Sequence, residues 1–176
     1  YRPHTSGLTI YAERLARAVA RRGHQVTVMT TQYDDSLPRE ETLDGVRIVR
    51  VPVAARVSKG VLAPTFGLSA TKLVAQHDVV QLHLPQFDAP GVAFRARLFG
   101  KPAVLTYHCD LDLPPGLFNR VVNTVVHFQN NMAGLLANHI VTYTQDYADN
   151  SAYLTRFRHK LTPILPPVEL PTPPDG

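Results

Sequence analysis

Apolar and polar positions along this chain switch repeatedly between a helical and a strand period. Leu8, Tyr11, Ala12, Leu15 and Val19 recur at i, i+3 and i+4, while Glu13, Arg14, Arg17 and Arg21 fill the opposite side and Gly23 offers a left-handed stop. That pattern predicts one amphipathic helix. His24 to Thr31 (HQVTVMTT) then reads as a buried strand, and Gly45 to Val51 as a second whose alternation suggests an edge with one wetter face. Asp34 to Asp44 between them reads as a charged loop.

Further along, a weaker helical stretch covers about Phe66 to Gln76 and a strand follows at Val79–His83. Asp88 is placed to cap a helix with Pro90 in its first turn and Gly100 at its end. Ala103–Tyr107 reads as a strand. A long helix, about Leu117 to Asn138, presents Phe118, Val121, Val122, Val125, Phe128, Met132, Leu135 and Leu136 as its core face. Strand Ile140–Tyr143, helix Asp146–Phe157 and strand Leu161–Leu165 complete the series. Strands alternating with helices of ten to twenty residues build βαβ units, so the fold class is α/β with a mostly parallel sheet.

Composition adds limits. At 176 residues and 44% hydrophobic, the chain suits one sizeable core. No apolar run approaches the ~18–20 residues a bilayer span requires. Without a secretory leader, and with Cys109 as the single cysteine, a cytoplasmic setting is expected. The net charge of +4 comes mostly from arginine, scattered rather than gathered with aromatics, which argues against nucleic acid and leaves small anionic ligands open.

Candidate chemistry gathers where strands end. Asp78-Val-Val-Gln-Leu-His83 and Ala103-Val-Leu-Thr-Tyr-His108 each run out into a histidine, the second followed by Cys109, Asp110 and Asp112. In open α/β sheets ligands occupy the crevice at the carboxyl ends of the strands. His108 is then either a core histidine satisfied by backbone carbonyls or a hydrogen-bonding group facing a ligand. His83 either caps its strand or joins that site. Asp110 and Asp112 are solvated loop carboxylates or a base for an acceptor hydroxyl. No metal site is expected, because no i, i+4 pair or cysteine cluster fixes ligands. Cys109 and His108, as neighbours in an extended segment, point to opposite faces and cannot share a proton. Ser6, Gly7 and Leu8 fall at a helix start, where either plain capping by Thr5 or Ser6 or anion binding would satisfy the free N–H groups.

The ordered set Tyr1-x-Pro3-x-x-x-Gly7, Leu15-Ala followed by Gly23-His-x-Val-Thr-Val28, Asp78-Val-Val-x-x-His83, Gly100-Lys-Pro-x-Val-x-Thr-x-His108, and Lys160 with Ile164-Leu-Pro-Pro-Val-Glu169 resembles the N-terminal half of a GT-B glycosyltransferase of the retaining family four. That resemblance implies a Rossmann-like three-layer sandwich forming one half of a GT-B fold, with residues 1–165 as the domain and the Pro-rich 166–176 as a linker toward a missing C-terminal domain. It implies an acceptor-binding domain in a metal-independent hexosyltransferase that uses no cofactor and moves a hexosyl unit from a nucleotide diphosphate sugar, with retention, to a hydroxyl of a sugar, lipid-linked or other acceptor. The donor would be held mainly by the other domain, so the isolated fragment is expected to be inactive. His108 would be the catalytic-site residue, with Gly7, Leu8, His83 and Asp110 binding substrate or donor. A peripheral contact with the inner face of the membrane follows for lipid-using relatives, although the Leu117–Asn138 helix lacks a basic face and core packing is favoured for it.

The sequence departs from that family at three places. Leu8 replaces the second glycine of the usual pair, which brings a Cβ toward any diphosphate. Pro166-Pro167 replaces an Asn-Gly pair, and the family's first strand is absent from the expected order. The alternative reading is a free-standing, non-catalytic α/β binding or regulatory module. A nucleotide-sugar epimerase or dehydrogenase is disfavoured because no G-x-G-x-x-G occurs.

Overall fold

A computed structural model describes residues 3, 5–57, 60–111 and 114–168. It divides into two compact units, one of residues Tyr1–Phe66 with Pro166–Gly176 and the other of Gly67–Leu165. Asp112, Tyr1, Glu169 and most of the expected linker lie outside the described residues.

The first unit opens with helix α1 (Gly7–Arg21). Ser6 is its N-cap: the side chain accepts from the Thr9 amide at 3.3 Å, and the Thr9 hydroxyl accepts from the Ser6 amide at 2.7 Å. Strand β1 (Val26–Thr31) pairs in parallel with β3 (Val46–Val51), and β2 (Glu40–Leu43) pairs antiparallel on the other side of β3. The sequence order of wetness is therefore reversed. β3 is the central strand, with Val46, Ile48 and Val51 buried, whereas β1 stands at the sheet edge and is only half-buried throughout.

The cause is the hairpin missed in the charged loop. Asp44 and Gly45 both take positive φ (53° and 78°), as a tight type I′ turn requires, and fold Glu40–Leu43 back onto β3. Arg50, 3% exposed, is tied across this hairpin to Glu41 and donates to the Pro38 carbonyl at 2.9 Å. A second short hairpin pairs β4 (Ala55–Val57) with β5 (Gly60–Leu62), strands of three residues each, too short to show a period in the sequence.

The second unit is a Rossmann-like α/β domain. Helix α2 (Phe66–Gln76) leads to β6 (Val80–Leu84), α3 (Ala89–Leu98), β7 (Ala103–Tyr107), α4 (Leu117–Leu136), β8 (His139–Thr142), α5 (Gln145–Asn150), a 3-10 helix (Leu154–Lys160) and β9 (Leu161–Pro163). The four strands lie side by side in the order β6-β7-β8-β9, all parallel. Leu82, Leu84, Ala103, Leu105, Tyr107 and Ile140 form the core beneath them. β6 is an edge strand of this sheet.

Three expectations are corrected here. Asp88 sits at the N-cap position of α3 but makes no side-chain cap bond; its φ and ψ (−82° and −4°) are already helical. The helix expected from Asp146 to Phe157 breaks after Asn150, because Ser151 turns extended and lets Tyr153, Leu154 and Phe157 enter the core. α4 is rotated from the expected core face: Val126, Asn130, Ala133 and Ala137 are buried, while Val121, Val125, Phe128 and Leu135 are exposed. Small residues face inward because the packing is close. A Cβ on Gly134 would come within 2.5 Å of the Tyr153 hydroxyl and 2.6 Å of the Phe157 ring.

Candidate functional site

The parallel register of β6, β7 and β8 brings three side chains to one edge. His83 is opposite Thr106, and one position on the His108 amide donates to the Leu84 carbonyl at 3.1 Å. The His83 and His108 rings therefore stand side by side, centroids 5.2 Å apart, with His83 Nδ1 2.9 Å from His108 Nε2. On the far side, His108 Nδ1 is hydrogen-bonded to the Tyr143 hydroxyl that follows β8, the two rings meeting edge to face at 5.6 Å. His108 thus uses both ring nitrogens.

Burial makes both imidazoles weak bases. It lowers His83 to about 4, with the neighbouring His108 adding to the effect, and burial also lowers His108 to about 4. Both rings are neutral near pH 7, so each carries one N–H and one lone pair. Two arrangements satisfy the row. Either Tyr143 donates to His108 Nδ1 and His108 donates onward to His83, or His83 donates to His108 and His108 donates to Tyr143. The tautomers are coupled: changing one ring changes the other. Neutral rings at a strand edge can bond ligand hydroxyls but bring no positive charge to a leaving diphosphate.

Asp110 forms a second centre just beyond β7. Its carboxylate accepts from the Tyr107 hydroxyl at 2.9 Å, from Tyr147 at 2.8 Å and from Ser151 at 3.1 Å. Burial, followed by the bond and charge of Asp110, pushes the Tyr107 and Tyr147 phenols above their ordinary range, so both keep their protons and donate. Tyr107 stacks on Tyr153 with centroids 4.2 Å apart. Asp110 therefore fastens the loop after β7 to α5. Cys109 is exposed.

Gly7 and Leu8 belong to the first unit, where they form the first turn of α1. A Cβ on Gly7 would meet nothing within 4 Å. The chain itself therefore imposes no steric demand for glycine at that position. Among the described residues, no group of three or more His, Cys, Asp or Glu is arranged to hold a metal ion.

Sequence reasoning passed over Tyr143, Tyr147 and Ser151. Tyr143 had the same signal as the two histidines, a polar residue directly after a strand, in the third strand of the row. Tyr147 and Ser151 had none, since their role depends on where α5 ends.

A family model described as "Glycosyl transferase 4-like domain" matches residues 6–164. The chain belongs to this family. The match covers α1, every strand and the His83–His108–Tyr143 row, and it agrees with the Rossmann-like fold of a GT-B domain. None of the curated proteins compared with this glycosyl transferase 4-like domain matches it.

Proposed function

We propose that this glycosyltransferase-family domain is the acceptor-binding half of a two-domain hexosyltransferase, moving a hexosyl unit from a nucleotide diphosphate sugar to a hydroxyl with retention. The observation that supports this reading most is the row of His83, His108 and Tyr143 at the carboxyl edge of three parallel strands, where α/β sheets hold ligands. Neutral His108 would bond a sugar hydroxyl and orient it for transfer, contributing position rather than charge. Gly7 and Leu8 in the first turn of α1 would approach the donor phosphates, using free amides and the positive end of the helix.

In this reading a C-terminal domain holds the donor's base and ribose and supplies the cationic groups that stabilise the leaving diphosphate. The domain works in the cytoplasm. A peripheral membrane contact belongs to the same reading, with the exposed Val121, Val125 and Phe128 of α4 as the surface it would use.

The test is transfer from UDP- and GDP-hexoses by a protein comprising both domains, with the product anomer read by NMR, beside calorimetric titration of this chain alone. The chain alone should bind nucleotide sugars at millimolar levels or weaker, where contacts supply only ~4 kcal/mol. Micromolar binding by the chain alone would overturn the division of labour. An inverted product would overturn retention, and absence of transfer with every donor would favour a non-catalytic binding module.

A further inference from the structure

Beside the histidine row, a cleft of about 100 Å³ opens between the end of β6 and the middle of α4. Pro85, Phe87, Leu111 and Val126 give it apolar walls, with Gln86, Gln129 and Asn130 as its polar members. Its position follows from chain geometry. Pro85 directly follows Leu84, whose carbonyl takes the His108 amide, and Leu111 lies three residues beyond His108. The cleft therefore shares the carboxyl edge of the sheet with His83 and His108.

Asn130 is the unusual member. It is 2% exposed, yet its side-chain amide forms no hydrogen bond among the described residues; only its backbone carbonyl is engaged, accepting from the Tyr153 hydroxyl at 2.9 Å. A nearly buried amide costs free energy unless it is paired, and the cleft is the space from which a partner can come. Apolar walls around one nearly buried amide, with the half-exposed Gln86 and Gln129 beside it, suit a ligand with a short aliphatic segment next to a hydrogen-bonding atom. The volume equals roughly three water-sized groups, so the segment is about three carbons deep, not a whole ligand.

We infer that this cleft is the aglycone subsite of the acceptor: the hydroxyl that receives sugar at the histidine row belongs to a compound carrying an aliphatic chain, whose first carbons fill the space between Pro85, Leu111 and Val126 while an adjacent oxygen pairs with the Asn130 amide. This rests on the transferase reading for the word acceptor, but not for the binding itself.

The experiment uses methyl and butyl β-D-glucoside, which differ by three methylenes and do not form micelles at the concentrations needed. Titration of the ¹⁵N-labelled chain should perturb the Asn130 side-chain amide, with butyl glucoside binding at least tenfold tighter than methyl, the gain from burying about three methylenes. Val126→Phe fills the cleft and should remove that gain, as should Leu111→Trp, which blocks the rim from a loop and keeps the test available if the helix variant unfolds. Leu135→Ser, on the exposed side of α4, should retain it. Equal affinity for the two glucosides, or a gain that follows Leu135 instead of Val126, would overturn the subsite.

Because no donor is present, binding is read independently of turnover. In the two-domain enzyme, the butyl acceptor should show a KM lowered by the same factor with kcat nearly unchanged. Tight butyl binding without any transfer would leave the cleft assigned and defeat the transferase reading.

Discussion

His83 and His108 share a single hydrogen-bonded proton: His83 Nδ1 lies 2.9 Å from His108 Nε2, and the two residues are twenty-five positions apart in sequence. Adjacent parallel strands create this pairing, and Tyr143 extends it on the far side of His108. Replacing the middle member should therefore do the most damage. In an active two-domain enzyme, His108→Ala is expected to lower kcat by about 10²-fold, the scale for losing a positioned polar group. His83→Ala should cost less and Cys109→Ala close to nothing, with melting temperatures checked in parallel. Unchanged turnover in His108→Ala would return that residue to a structural role.

Tyr143→Phe separates positioning from packing. The ring stays and only the hydroxyl goes, so the bond between the Tyr143 hydroxyl and His108 Nδ1 is removed while the edge-to-face contact remains. The ¹⁵N shifts of both imidazoles should then report a changed tautomer population in His83 as well as in His108, and kcat should fall about tenfold. A tautomer pattern identical to that of the parent would show that the hydroxyl does not set it.

The two histidines also predict a direction for stability against pH. Their folded values of about 4 lie below the ordinary 6.5, so between these limits the unfolded chain binds more protons than the folded one. Stability should be flat above pH 6.5 and decline as pH falls toward 4. Thermal melts across that window measure it. Replacing both residues by glutamine should flatten the decline, and an equal slope in that variant would place its origin in other groups.

Asp110→Ala tests the second centre. Removal of the carboxylate leaves the Tyr107 hydroxyl and the Ser151 hydroxyl, on residues 1% and 3% exposed, without their acceptor. Each unsatisfied group costs ~1–3 kcal/mol, so the melting temperature should drop by several degrees. Asp110→Asn keeps an acceptor oxygen and should recover part of the loss. A variant as stable as the parent but unable to bind acceptor would assign Asp110 to ligand contact instead.

Gly7→Ala addresses the helix start. With open space around the missing Cβ, alanine should leave the melt unchanged or slightly raised by its better helix propensity. Any rise in donor KM must then come from the ligand's approach to the backbone, and an unaltered KM would reduce Gly7 to part of a capped first turn.

The sequence by itself determined the α/β class, the extent of β7 and of α2, and the glycosyltransferase-family membership that the ordered motifs from Tyr1 to Glu169 indicated, because each rests on local period or local order. It also carried the two strand-end histidines. Tertiary structure decided what no local pattern encodes. β3 became the central strand and β1 an edge because an Asp44–Gly45 turn folded a polar segment back as β2. α4 turned its small residues inward because Tyr153 and Phe157 lie where a Cβ on Gly134 would go, leaving Val121, Val125 and Phe128 outside. The histidine row itself depends on register. A one-residue shift between β6 and β7 would carry His83 to the other face of the sheet and away from His108, and register is fixed by the packing of whole faces, which a strand read alone does not contain.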